Sequence, residues 1–338
     1  MIVKKMPILQ GFPDFETVKK LSGFSPEIQD FNPVFYDIET TGLSRNSTFL
    51  YLIGAVAYDG KKWNLYQWFC ENSDDEQTVL VTFSDFMKIY NFTIQYNGDN
   101  FDQPYLEARY AFYKLPSPFE GISSLDLYKK LKPVKGLLKL SRMNQPSMEA
   151  FLGIQERNFC DGGACIRLYR QFISGKKPEN SDIVLGHNCE DLLGLGKIFS
   201  MLSYLELFED SWEISDCRQD EELVLFTLSV HYRFPAEFSN GGDGFYITGS
   251  HNRVKFSIKS VNGRLRQYYS NYRDYDYIPS EDTVIPKSLS VCMDKSLKQP
   301  ARKDTCYTWF PVTEEFLKNR DMEKDYLRHA FAYYLKNF

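Results

Sequence analysis

Residues 33–42 read Pro-Val-Phe-Tyr-Asp-Ile-Glu-Thr-Thr-Gly: an apolar run that acquires two carboxylates and stops at a turn signal. Valine, phenylalanine, tyrosine and isoleucine favour a strand. Side chains at i and i+2 of a strand share a face, so Asp37 and Glu39 project together while Tyr36 and Ile38 face the other way. Two adjacent carboxylates repel, and a divalent cation between them relieves the repulsion; hard cations such as Mg²⁺ take oxygen ligands of this kind. Alone, such a pair is also what an ordinary surface carries.

Two further strands follow closely, Phe49–Gly60 and Lys62–Cys70, and connections this short favour antiparallel neighbours. Asp74, Asp75 and Glu76 then suit a helix N-terminus, with Val79, Leu80, Phe83, Phe86 and Met87 at helical spacing. A fourth strand, Phe92–Asn97, runs into Asn97-Gly98-Asp99-Asn100-Phe101-Asp102. Gly98 frees the backbone for a turn, and Asp102 opens a helix continuing through Tyr105, Leu106 and Tyr110, where it serves either as an N-cap or as a ligand. Strands alternating with helices in this order predict an α/β layered domain.

A long helix is expected over 181–206, with Ser181 as its cap and leucines along one side. Within it His187 and Asp191 stand at i and i+4, neighbours on a helix surface. Asp191 completes a set of four carboxylates, and His187 is of the residue type that takes a proton from water near neutral pH. Three constellations in one chain, on strand, strand-to-helix turn and helix, can converge on one centre. Phosphodiester hydrolysis with two metal ions needs such a carboxylate set.

The surrounding composition sets bounds. The 338 residues exceed the usual single-domain size, and 27 Phe and 23 Tyr suffice for more than one core. A run of seven acidic residues and one basic between Glu209 and Glu222 predicts a linker. The organisation expected is therefore an N-terminal extension at 1–32, the α/β domain at 33–208, an acidic linker at 209–222 and a β-rich (α+β) domain at 223–338. In the last, segments of period two flank an Asn262–Gly263 hairpin signal, and a helix closes the chain after Pro311, with Thr313 as its cap. Seven cysteines without CxxC pairs predict reduced thiols, with Cys160 and Cys165 as packing residues rather than ligands. No apolar run reaches membrane-spanning length and the first residues lack a secretory pattern, so no membrane partner and a cytoplasmic location are expected.

The net charge of −5 runs against nucleic-acid binding, but its distribution does not. Lys129 to Arg142 holds six basic residues and no acidic one, and 251–303 holds eleven basic against five acidic. Lys129, Lys130 and Lys135, together with Thr40, Asn97 and Asn188 beside the carboxylates, are the substrate-contact candidates. Tyr268, Tyr269, Tyr272, Tyr275 and Tyr277, interleaved with Arg264, Arg266 and Arg273, are suited either to stacking bases or to packing a sheet.

Asp37-Ile38-Glu39-Thr40-Thr41-Gly42-Leu43, Asn97–Pro104 and His187–Leu195 resemble the three motifs of the DEDD exonuclease superfamily, within it the YprB-like group, over residues 33 to 206. The resemblance implies a ribonuclease H-like mixed five-stranded sheet flanked by helices and 3′→5′ hydrolysis of DNA or RNA at a single-stranded 3′ end. It implies two divalent cations, Mg²⁺ or Mn²⁺. Asp37 would bridge both, Glu39 would hold one and orient water, Asp102 would act on the second through water, and Asp191 on the first. His187 stands four residues before Asp191, the spacing at which one subclass carries tyrosine, which leaves open whether it is a base or a water-orienting group. Two other readings stay in competition: a non-catalytic nucleic-acid-binding module on this fold, and a structure-selective endonuclease.

Overall fold

The computed structural model describes residues 1–23, 30–154, 159, 162–175 and 177–336. Cys160 lies outside them. The chain forms two compact units, Met1–Lys132 with Arg142–Leu202, and Pro133–Ser141 with Ser203–Phe338.

The first unit is built on a mixed sheet of β1 (Ile2–Pro7), β2 (Pro33–Thr40), β3 (Leu50–Tyr58), β4 (Trp63–Phe69), β5 (Phe92–Gln95) and β6 (Ser123–Asp126), in the order β1-β4-β3-β2-β5-β6. Pairing is antiparallel from β1 to β2 and parallel from β2 to β6. Six strands stand where five are expected. The sixth, β1, comes from the stretch taken as an extension and pairs from Ile2↔Phe69 to Pro7↔Asn64. With Lys4 and Lys5 side by side it has no alternating pattern, and such charges are how natural edge strands avoid further pairing.

Along the chain, α1 (Phe15–Leu21), α2 (Glu76–Met87), α3 (Asp102–Phe112) and the single turns α4 (Leu127–Lys130) and α5 (Val134–Leu137) are followed by α6 (Gln145–Phe151), α7 (Gly162–Gly175) and α8 (Pro178–Phe199). Both faces of the sheet are covered, which is why β2 reads as continuously apolar rather than alternating. Tyr36 packs on Phe83 of α2, whereas Phe35 meets Phe199 of α8. Asp37 and Glu39, two and four residues beyond Phe35, therefore face α8. The helix α8 starts earlier than expected, at Pro178 after Lys177, because proline is pre-set for a first helical turn. Ser181 sits inside that turn, donating its hydroxyl to the Pro178 carbonyl rather than capping.

The second unit carries an antiparallel sheet in the order β7-β8-β11-β10-β9, from β7 (Trp212–Asp220), β8 (Leu223–Val230), β9 (Phe238–Gly242), β10 (Phe245–Ser250) and β11 (Arg253–Lys259). The acidic stretch expected as a linker is mostly β7. Its Trp212 and Cys217 are buried while most of its acids point outward, and a register shift between Ile214 and Asp216 hides the two-residue period. The turn at Asn262 and Gly263 forms with positive φ at both residues, but only Val261 and Arg264 pair across it. Beyond it β12 (Arg264–Tyr268) pairs instead with β16 (Tyr307–Pro311), and β13 (Tyr275–Ile278) lies between β14 (Thr283–Pro286) and β15 (Gln299–Pro300). A short turn, α9 (Lys287–Ser290), follows β14.

The closing helix α10 (Arg320–Tyr334) is capped by Asn319, whose Oδ1 accepts from the amides of Asp321 and Met322; Thr313 serves only the 3₁₀ turn at Phe316–Lys318. Phe331 of α10 packs edge-on against Trp212 and Phe256, seating the helix on this sheet. Cys165 is buried in the core of the first unit, and the six described cysteines are free thiols. Among the described residues no helix is long and apolar enough to cross a membrane.

Candidate active site

The parallel pairing of β2 with β5 covers only Pro33–Phe35. Beyond it the edge of β2 is open, and the amide of Ile38 needs another acceptor. Asp102 supplies it, with Oδ1 3.2 Å from the Ile38 nitrogen. The N-cap of α3 is Phe101 without a side-chain bond, so Asp102 is turned to β2 rather than spent as a cap.

On the opposite side of β2 the ladder to β3 is irregular: Glu39 faces Leu52 and Thr40 faces Leu50, leaving Tyr51 as the extra residue. Such a bulge re-aims side chains. Here the Tyr51 hydroxyl donates to Glu39 Oε2 at 3.3 Å. From α8, His187 places Nε2 3.2 Å from Asp191 Oδ2 and 3.5 Å from Glu39 Oε1. Its Nδ1 is buried and has no hydrogen-bond partner among the described residues. With two acceptors at one nitrogen and none at the other, the neutral ring keeps its proton on Nε2, where it is useful.

Asn188, next along α8, donates from Nδ2 to Asp37 Oδ2 at 3.0 Å. Its own Oδ1 accepts from Gln67 Nε2 at 3.0 Å, and the same amide of Gln67 donates to the Leu185 carbonyl at 2.8 Å. Both amides are buried, so each bond fixes the next. Asp37, Gly54 and Gln67 lie in register on β2, β3 and β4 beneath this helix. A Cβ on Gly54 would sit 2.0 Å from Asn188 Oδ1 and 2.7 Å from Leu192 Cδ1. Gly54→Ala is therefore expected to cost about 1–3 kcal/mol in a urea melt, the range for overpacking a core. It should also disturb Asp37 through Asn188; an unchanged midpoint would show that the helix rides higher than this contact implies.

The electrostatics follow from the burial. Burial drives the Asp37 carboxyl well above the ordinary aspartate range, and the charges of Asp102, Asp191 and Glu39 push it further, against the Asn188 hydrogen bond. Burial and Asp191 raise Glu39 to about 8, and burial raises Asp102 to about 7 against the pull of the Ile38 amide. Buried carboxylates repelling one another are incompletely compensated by the protein itself, which is the condition a bound cation relieves. Ligand atoms of Glu39, His187 and Asp191 all lie within 4.8 Å of one another. Asp37 and Asp102 fall outside that tight group but share its field. The donor set is mainly carboxylate oxygen, which fits a hard divalent ion.

The substrate-contact candidates fare differently. Asn188 is fully buried and committed to Asp37, so it positions a carboxylate instead of touching substrate. Thr40 is buried and donates to the Gly42 carbonyl. Asn97 adopts a positive φ in a turn where its amide donates to Asp126 and its side chain accepts from Asn100. Lys129 is exposed and paired with Asp99 at 2.8 Å, and Lys130 is exposed beside it. Lys135 belongs to the second unit, so the basic run is not one continuous helix face. Tyr51 and Gln67 escaped the motif search. Gln67 is one of two amides, with Asn64, in the otherwise apolar strand Trp-Asn-Leu-Tyr-Gln-Trp-Phe, and that is the one hint for it; for Tyr51 there is none, because a bulge selects it.

A mixed sheet with antiparallel strands leading into parallel ones, flanked by helices and carrying buried acids at the end of its central strand, is a ribonuclease H-like nuclease fold. The chain belongs to the RNase_H_2 family of the RNase_H superfamily, which residues 34–203 match. No curated protein matches the sequence. Among solved structures, the family B DNA polymerase of the hyperthermophilic archaeon Pyrobaculum calidifontis is similar at 18% identity and a TM-score of 0.44, over 56% of this chain and 26% of that one. The chain thus spans about a quarter of that polymerase's length.

Proposed function

We propose that the protein is a metal-dependent 3′→5′ exonuclease of the DEDD type, acting on a single-stranded end of DNA or RNA. The observation that carries this reading is the gathering of Asp37, Glu39, Asp102, Asp191 and His187 from β2, α3 and α8 at one buried acidic centre. Asp37, Glu39, Asp102 and Asp191 would hold two divalent ions, Mg²⁺ or Mn²⁺. Bound there, such ions supply an activated water and neutralise charge on the reacting phosphate. His187 holds a proton at Nε2 between Glu39 and Asp191, placed to exchange it with a water entering the same space. Tyr51 fixes one oxygen of Glu39, and Asn188 fixes one oxygen of Asp37, so neither carboxylate must reorganise when substrate arrives.

The test is end dependence. With Mn²⁺, a 5′-labelled linear strand should shorten one nucleotide at a time, while a covalently closed single-stranded circle survives. Cutting of the circle would replace this reading with an endonuclease, and retention of both strands in bound form would replace it with a binding module.

The raised carboxyls also set a pH dependence. A carboxyl whose folded value lies above its unfolded one holds its proton more tightly when folded. Its contribution is complete below the ordinary carboxylate range and is lost as the pH climbs through about 7 for Asp102 and about 8 for Glu39. In EDTA the melting temperature should accordingly be lower at pH 8.5 than at pH 6, by roughly 5 °C if the net change is a kcal/mol or two. Mn²⁺ should close the gap. The Glu39→Gln, Asp102→Asn protein should show a smaller gap, with Asp37 as the raised carboxyl that remains; a gap of unchanged size would show that Glu39 and Asp102 are not its origin.

A further inference from the structure

The second unit contains a cavity of about 140 Å³ that the acidic centre does not use, formed where the end of β12 and the residues after it meet α10. Four of the residues lining it are Tyr268, Tyr269, Tyr272 and Tyr333; Lys303 and Lys336 bring positive charge, and His329 adds an imidazole. None of the lining residues is acidic, and the neighbouring Asp304 is paired with Arg302. Several of these rings are held. Tyr268 stacks flat on Tyr333 with centroids 3.5 Å apart, and Tyr269 is fixed by a 2.9 Å bond between its hydroxyl and Thr308 and by an edge contact with His329. By contrast, Tyr275 stacks against Tyr269 and Tyr277 bonds Asp282, so those two serve the sheet.

The volume is below the roughly 300–1,000 Å³ of sites for larger ligands, which limits the occupant to about one ring system. Aromatic walls alone would also suit a methylated ammonium group, but lysines at the same cavity repel it. What remains is a flat ring attached to negative charge. We propose that this cavity binds a nucleotide, with its base against the tyrosines and its phosphate at Lys303 and Lys336. The choice of a nucleotide among ring-bearing anions rests on the nuclease reading of the first unit. Stacking on tyrosine is indifferent to sequence, so the pocket would accept any base of a strand or a free nucleotide.

The experiment measures binding of the full chain in EDTA, where hydrolysis plays no part. A fluorescent ten-residue oligonucleotide and a fluorescent mononucleotide are titrated by anisotropy, and a 5-iodouracil oligonucleotide is photo-crosslinked and mapped by mass spectrometry. Crosslinks should fall on the tyrosines of the cavity. Tyr272→Ala should weaken binding about ten-fold, the scale of one lost stacking contact. The K303E/K336E protein, altered only at exposed positions, should weaken it at least as much and flatten the salt dependence. Binding of the strand alone assigns the pocket to substrate, and binding of the mononucleotide alone assigns it to a free nucleotide; both uphold it. Unchanged affinity in K303E/K336E with crosslinks elsewhere, or no binding of either probe, overturns it. A protein that binds here yet never cleaves with Mn²⁺ would sink the nuclease reading while leaving the pocket standing.

Discussion

Asp37→Asn is expected to lower phosphodiester hydrolysis by roughly 10⁴-fold or more, the scale on which groups acting as one catalytic unit fail together. The fold should survive. Asp37 carries the repulsion of Asp102, Asp191 and Glu39 in a buried setting, so removing its charge relieves more than it breaks. The asparagine oxygen can still accept from Asn188, and the metal-free protein should melt at the same temperature or higher. A melting point several degrees lower would make Asp37 a structural group. A rate within ten-fold of the native one would remove it from the reaction.

His187→Ala is the second large effect. If Nε2 transfers a proton, the rate should fall about 10²–10⁴-fold and the pH–rate profile should change shape along with it. The two carboxylates that face Nε2 lie on different elements, β2 and α8, so the imidazole also bridges the strand to the helix. A His187→Gln protein separates the roles, since its amide can bridge but cannot exchange a proton at the required pH. Recovery of most of the rate in His187→Gln would make His187 an orienting group.

Much of the first unit was legible because its signals are local. β-branched and aromatic runs, such as the apolar stretch at 33–36, and short connections specify β2 to β4, and the i, i+2 and i, i+4 rules place Asp37 with Glu39 and His187 with Asp191 from the sequence alone. What escaped depends on partners distant in sequence. The strand β1 exists because β4 offers an edge, and its own residues carry no alternation. A bulge masked β7, whose outward acids read as a solvated linker. Asn188 reads as a substrate-contact candidate beside His187, yet one position along a helix turns a side chain by about 100°, here down onto Asp37 and Gln67. Gly54 was unremarked in an apolar strand, and its role appears only where α8 crosses β3. The tyrosines from Tyr268 onward show the same division: five stand together in the sequence, and packing sends Tyr268, Tyr269 and Tyr272 to the cavity and Tyr275 and Tyr277 to β13.

The central claim is that the buried carboxylates act through divalent metal on a strand end, and one assay meets it most directly. A 5′-labelled single-stranded oligonucleotide, as DNA and as RNA, is incubated with the native protein in Mn²⁺, in Mg²⁺ and in EDTA. A ladder of products shortened from the 3′ end is expected in at least one metal, and none in EDTA. Cleavage that persists in EDTA, or an intact strand at saturating metal with both sugars, would contradict it.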